Sequence, residues 1–308
     1  MNIIDLPAGA CVPGPGLYRT PLEHYHSQAI CPGPSVSSSG LRRVFSESPW
    51  AFWSQSEMNP NRYPEETRDH LSLGSAAHAL ILGDEVWEDN YAVRPVEFNS
   101  WQTKASKEWR EAQQKAGKTV VTPDQVITIG YMAENLAASP EARAALVSEH
   151  YEVSMIWQDA LTGLWVKSRV DALPTNGYDF ADLKTFAPQM KDIQRAVMKS
   201  VTDYRYDMQM ALGLEGAEQL GFGSAQECAL IFAQTTKPFN VVTLKINYDT
   251  LYWARVCNRS ALNTIAKCIE EDHWPMPVEG ILEYSLPPSL LARYADMQIS
   301  GELPNLEN

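Results

Sequence analysis

Two aspartates and a lysine carry the most chemistry in this chain. Asp171 is followed eleven positions later by Asp182, and Asp182-Leu183-Lys184 sets that second acid two residues before a lysine. Paired carboxylates hold hard divalent cations, which prefer oxygen ligands. A lysine two residues further along a strand leaves the same face and can orient or deprotonate an attacking water. Acid, acid, any residue, lysine is therefore a kit for Mg²⁺-assisted phosphodiester hydrolysis. The solvated face of a hairpin would carry the same residues, and loose spacing of this kind also arises by chance.

The elements that must position these groups read as a β-meander. Residues 151–157 form a strand, 159–163 a turn, 164–173 a second strand, 174–177 a second turn and 178–184 a third strand. Asp182 and Lys184 share a parity on that third strand. Around the meander, Ser37 or Ser39 can cap a helix beginning near Leu41, which Ser48-Pro49 breaks. Residues 71–82 read as a helix with small residues on one side, suited to close packing. Further helices are expected over about 123–138, 140–148, 189–200, 203–220 and 248–271. Residues 91–95 suit a short strand, and 227–234 and 240–246 a strand pair. Residues 1–40, rich in Pro, Gly and Ser, read as an arm with little regular structure. Residues 41–273 read as one domain and 274–308 as an acidic, Pro-containing tail.

Composition narrows the class. A chain of 308 residues can bury a substantial core, and 44% hydrophobic with 20% charged residues is ordinary for a soluble globular protein. No run approaches the roughly 18 apolar residues of a membrane span. The first residues lack the basic and apolar regions of a secretory signal. Five scattered cysteines with no C-x-x-C pair argue against a disulfide scaffold, a zinc site or an iron–sulfur cluster, and favour a reducing cytoplasm. There is no Gly-x-Ser-x-Gly elbow, no Walker phosphate loop and no His-Glu-x-x-His, so other hydrolases and ATP-driven motors have no support.

A net charge of −13 should repel nucleic acid, but its distribution is uneven. Eight acids against Arg293 alone lie between Ile269 and Asn308. Two basic islands stand apart from them. One runs from Trp101 to Lys118 (Lys104, Lys107, Arg110, Lys115, Lys118), the other from Lys184 to Arg205 (Lys184, Lys191, Arg195, Lys199, Arg205). Ordinary solvated helix faces would have the same composition.

Taken in order, these residues resemble a known family. The carriers are Leu73-Gly74-Ser75-Ala76-Ala77-His78, then Glu152, Lys167-Ser168-Arg169-Val170-Asp171, Asp182-Leu183-Lys184-Thr185 and Tyr206-Asp207-Met208-Gln209. The series resembles the RecB-like branch of the PD-(D/E)xK nuclease superfamily, and within it the phage and prophage exonuclease VIII (RecE-type) family. That resemblance implies an α/β (α+β) fold of the restriction-endonuclease type: a central mixed sheet with an antiparallel meander, flanked by helices. It implies Asp171 and Asp182, with the backbone carbonyl of Leu183, as ligands for one or two Mg²⁺ ions, which Mn²⁺ would replace. Lys184 would position or activate water, and its pKa should fall beside the cations. His78 would approach the metal. Glu152 matches the acidic residue of the first strand, although its alternation with Trp157 leaves its facing open.

Gln209 and Tyr206 match a helix that lines the site and contacts the DNA backbone. The tyrosine that often follows the family's glutamine is absent here, where Met210-Ala211-Leu212-Gly213 stands. Thr185 would touch phosphate, and Lys191, Arg195, Lys199 and Arg205 would meet DNA. The implied activity is 5′-to-3′ digestion of linear double-stranded DNA from its ends, leaving 3′ overhangs for a single-strand annealing protein. A homo-oligomeric ring of three or four subunits would encircle the duplex in a bacterial host cell, with the basic islands facing its channel and acidic surfaces outside. A structure-specific or single-strand endonuclease with the same site, or a non-catalytic interaction protein, are the alternative readings.

Overall fold

A computed structural model of the protein describes residues 2–63, 71–82, 87–98, 100–174, 180–221 and 227–306. The chain opens with strands β1 (Ile3–Asp5) and β2 (Gly16–Arg19), a short helix α1 (Leu22–His26) and strand β3 (Ser35–Ser37). Helices α2 (Ser38–Ser46), α3 (Pro49–Trp53), α4 (Leu71–Leu82) and α5 (Trp87–Asn90) follow. A small excursion holds β4 (Tyr91–Val93), α6 (Lys104–Lys115) and β5 (Thr119–Val121), with β4 and β5 paired in parallel. Then come α7 (Pro123–Ala138), α8 (Pro140–Leu146), β6 (Ser148–Gln158), β7 (Trp165–Pro174) and β8 (Phe180–Phe186). The chain continues through α9 (Ile193–Tyr204), α10 (Tyr206–Gln219), β9 (Cys228–Gln234), β10 (Val241–Lys245), α11 (Tyr248–Glu271) and α12 (Pro288–Ile299).

The main sheet runs β1-β2-β6-β7-β8-β9-β10 and is mixed: β6 to β8 are antiparallel neighbours, while β8 and β9 are parallel. Helices cover both faces, as a sheet apolar on both sides requires. On one face Val153, Met155, Phe180, Leu230 and Phe232 pack with α10, α11 and α2 through Met208, Leu212, Leu262 and Leu41. On the other, Ala181, Leu183, Ala229 and Ile231 pack with α4, α7 and α8 through Ala76, Ala77, Ile129, Met132 and Ala145. The alternation along β8 and β9 that separates these two sets is the period-two signature of a strand buried on both sides.

Glycines let α10 sit close. A Cβ at Gly213 would lie 2.5 Å from the Phe180 ring, and one at Gly216 would lie 2.7 Å from the Trp157 ring. Across the turn between β6 and β7, Asp159 clamps the long helix α11 by two hydrogen bonds from Arg259, at 2.8 and 2.7 Å.

The central feature for function is a fork between β7 and β8. Among the described residues only Ala172 and Ala181 pair across these strands. Toward its other end β7 pairs instead with β3, Trp165 lying against Ser35 and Lys167 against Ser37. Past the fork the Asp171 carboxylate takes the role of a missing ladder partner, accepting from the Leu183 amide at 2.7 Å. The split leaves a gap at the sheet centre into which side chains of both strands can point.

The first forty residues are not the irregular arm that their composition suggests. β1 and β2 extend the sheet beyond β6, and β3 enters it beside β7. Leu6, Val12, Tyr18 and Ile30 form a third buried cluster with Ile156 and Trp165. Lys167, 2% exposed, donates to the Ser27 carbonyl at 3.0 Å, and Arg169 donates to the Thr20 carbonyl at 2.8 Å. Pro and Gly here shape tight connections between short strands rather than a free segment. The tail also differs from expectation. Trp274 stacks on Trp53 at 4.4 Å, and α12 is a helix with no buried residue. The expected second turn falls mostly on 175–177, outside the described residues. Among the described residues no helix is long and apolar enough to cross a membrane.

Candidate active site

The fork opens into a cleft of about 970 Å³ lined by β7, β8, α2, α4, α9 and α10. Asp171 reaches it from β7 and is buried. Asp182 and Lys184 reach it from β8 on the parity of Phe180, and they form an ion pair. Gln209, in the first turns of α10, donates from Nε2 to Asp182 Oδ1 at 2.8 Å. His78 arrives from α4, whose small residues allow a close seat on the sheet: a Cβ at Gly74 would stand 3.1 Å from Thr185 Oγ1. Its Nδ1 lies 3.3 Å from Asp171 Oδ2.

Glu152 enters by an irregularity. It lies opposite Asp171, since Tyr151 pairs with Ala172 and Val153 with Val170. Its backbone is left-handed, with φ of 53°, beside a register shift in β6. That conformation is strained for a residue with a side chain and clusters at functional sites. Here it switches the strand pair between layers. Val153 and Val170 pack in one core, Tyr151 and Ala172 in the other. The Glu152 carboxylate is held by Arg169 Nε at 2.5 Å.

The ligand atoms of His78, Glu152 and Asp171 lie within 4.8 Å of one another, a cluster able to hold a metal ion. Carboxylate oxygens joined by one imidazole nitrogen suit a hard divalent cation. Electrostatics agree with that fit. Burial, then Asp182 and Glu152 nearby, hold the Asp171 carboxyl well above the usual carboxylate range. Three acids converge where few charges of one sign are tolerated without a cation or a proton.

Burial and the Lys184 ammonium push the His78 imidazole down to about 4, despite Asp182 and a hydrogen bond to the Leu183 backbone. A neutral imidazole is the form that ligates metals. Burial alone would lower the Lys184 pKa, but Asp182 and Asp171 hold it above the ordinary lysine value. This rise reflects the neighbouring carboxylates; the fall expected of Lys184 concerns bound cations beside it and is a separate matter.

The cleft thus brings together His78, Glu152, Asp171, Asp182, Lys184, Thr185, Tyr206, Gln209 and, at its rim, Lys199. The Tyr206 ring lies under Lys184, 4.8 Å from Nζ to the centroid. Lys191 and Arg195 are exposed and do not line the cleft. Arg205 does not line it either: its guanidinium is paired with Asp207 at 3.0 and 2.9 Å and lies over Phe45. Arg42 and Arg169 line the cleft; in the sequence Arg169 stands only as part of the Lys167–Asp171 motif, with no role assigned, and Arg42 is not singled out. Arg169 sits two residues before Asp171, so strand parity alone pointed to it. Arg42 carried no such signal.

Residues 37–284 match the PDDEXK-like domain of unknown function (DUF3799). No curated protein matches the chain. Among solved structures, the crystal structure of a protein described as "Putative exonuclease" from Eubacterium rectale is similar, with a TM-score of 0.58 and 14% identity. The match covers 89% of this chain and 98% of that one. At this identity the likeness concerns the fold, a mixed sheet between helical layers. The family match spans most of the sequence, and the chain belongs to the family of PDDEXK-like domains of unknown function (DUF3799), within the PD-(D/E)xK nuclease superfamily.

Proposed function

We propose that the protein is a divalent-metal-dependent deoxyribonuclease of the RecE type, an exonuclease that shortens linear double-stranded DNA in the 5′-to-3′ direction. One observation carries the reading: three carboxylates, an imidazole, a lysine and a glutamine from five elements converge at the β7–β8 fork. Asp171, Asp182 and the Leu183 carbonyl, with His78 and Glu152 beside them, would hold Mg²⁺, or Mn²⁺ in its place. When bound, one or two such ions supply Lewis-acid polarisation of the phosphate and charge to stabilise the departing 3′-oxygen.

The chain's own residues do the rest. Lys184, fixed by Asp182, orients the attacking water and presents positive charge to the phosphate oxygens. Gln209 holds Asp182 by one carboxylate oxygen, which fixes the rotamer of that acid. His78 stays neutral and anchors Asp171 against the Leu183 backbone. Thr185 and Tyr206 flank the path of the strand, and Lys199 lies at its rim.

The 3′ overhangs would serve a single-strand annealing protein. A ring of three or four subunits would let the basic islands at 101–118 and 184–205 line a channel within an otherwise acidic particle. The test is linear duplex labelled at either end, incubated with Mg²⁺ and then with EDTA. Loss of label from the 5′ ends that stops with EDTA is expected. Cleavage of closed circular DNA at an equal rate would remove the exonuclease reading and leave an endonuclease.

A further inference from the structure

We propose that Arg42, with Ser38 and the first turn of α2, forms a second phosphate subsite, which grips a neighbouring phosphate while the Lys184 region acts on the scissile one. The inference rests on the nuclease reading of the same cleft.

Four cationic side chains other than histidine line the cleft among the described residues: Arg42, Arg169, Lys184 and Lys199. Three are matched by acids, Arg169 with Glu152, Lys184 with Asp182 and Lys199 with Asp203. Arg42 has no carboxylate at ion-pair distance among the described residues; Asp182 and Asp207 attract it only from farther off. Its Nη1 donates to the Tyr204 carbonyl at 2.7 Å and its Nε to the Ser38 carbonyl at 3.4 Å. These bonds fix the guanidinium without neutralising it, and leave Nη2 with no hydrogen-bond partner among the described residues. A partly buried cation with no directly paired anion is poorly compensated, and a phosphate bound against it would supply the missing contact.

The neighbouring groups are donors too. Ser38, 9% exposed, lines the cleft, and its hydroxyl is buried without a hydrogen-bond partner. The side chain of Ser37, the residue before α2, makes no capping bond; it pairs with Ser39 Oγ at 3.0 Å instead. The first-turn amides of this nine-residue helix therefore lack a side-chain acceptor.

Position selects the ligand. Arg42 and Lys184 lie against the same Tyr206 ring, 5.8 and 4.8 Å from its centroid. A single carboxylate or small anion would occupy one of these cations. A nucleic-acid strand carries phosphates in series and can engage both, and a guanidinium fork matches phosphate oxygens. Gripping a second phosphate aligns the scissile one, which makes Arg42 a binding and positioning residue rather than a catalytic one.

The experiment measures duplex binding in Ca²⁺ by the full-length protein, using linear DNAs that each carry one uncharged methylphosphonate at successive positions from the end. Wild-type protein should lose about ten-fold in affinity at one phosphate next to the cut site. Arg42→Gln should lose about ten-fold on unmodified duplex, lose nothing more on that modified duplex, and lower the salt slope by about 1. Arg42→Lys should fall between, since it keeps the charge and loses the fork.

A parallel pair of duplexes, ending in 5′-phosphate or 5′-hydroxyl, separates the two sources of phosphate. A loss confined to the 5′-phosphate duplex assigns the subsite to a terminal monoester, and a loss on both assigns it to a backbone diester. Wild-type cleavage with no position sensitive to methylphosphonate, or equal binding by Arg42→Gln, overturns the subsite alone. Wild-type protein that neither binds nor cuts DNA overturns the nuclease reading with it.

Discussion

Asp171 is where structural and chemical demands meet. Its carboxylate closes the β7–β8 fork by accepting from the Leu183 amide, yet it is crowded by Asp182 and Glu152. A cation relieves that repulsion, and so does removal of one charge. Asp171→Asn keeps an acceptor for Leu183 and should stabilise the metal-free protein by about 1 kcal/mol, as active-site substitutions often do. Mg²⁺ should raise the melting temperature of the wild type and leave that of the variant unchanged. Thermal unfolding with and without Mg²⁺ decides, and an equal shift in both proteins would contradict the assignment. At this scale the sequence was legible where periodicity is simple: Asp182 and Lys184 share a face because strands alternate. Glu152 was not legible, because its left-handed backbone breaks the alternation that a reader counts on.

The elements hold those residues by close contact and by a buried clamp. Helix α10 carries Gln209 and meets the sheet through Gly213 and Gly216. Gly213→Ala would press on Phe180, with an expected destabilisation of about 1–3 kcal/mol. Moving α10 also moves Gln209 off Asp182, so turnover should fall along with the urea midpoint. A variant with unchanged stability would show that the helix can shift freely.

The clamp between Asp159 and Arg259 gives a pH signature. Burial would raise the Asp159 pKa, but hydrogen bonds from Arg259 and Thr162 hold it at about 2. A carboxylate with a depressed pKa stabilises the fold above its unfolded value near 3.8, and that contribution vanishes as pH falls through about 2. It is worth about 2 kcal/mol at neutral pH. The stability gap between wild type and Asp159→Asn, followed by urea unfolding, should therefore shrink from pH 6 to pH 2; a constant gap would remove the clamp from the account. The long helices α7 and α11 and the strands of the meander were readable from caps and periodicity. β1 to β3 were not, since segments of three or four residues set among Pro and Gly offer too few positions for a period to emerge.

For the whole molecule, charge is the open contrast: an acidic chain that is proposed to hold a polyanion. The cleft meets this locally with Arg42, Lys184 and Lys199, and assembly would extend it by bringing the basic islands of several subunits around one duplex. Light scattering should then give the mass of three or four copies of a 34.4 kDa chain. A monomer at all concentrations would rule out encirclement while leaving the cleft chemistry intact. The exposed helix α12 and the small β4–β5 excursion lie outside this account; the strand expected over 91–95 is β4, while α6, β5 and α12 gave no such signal in the sequence. The most direct trial of the central claim compares wild type with Asp182→Ala on linear duplex DNA in Mg²⁺. Rapid digestion by the wild type and none by a correctly folded Asp182→Ala is the expected result; undiminished digestion by that variant would contradict the site at the fork.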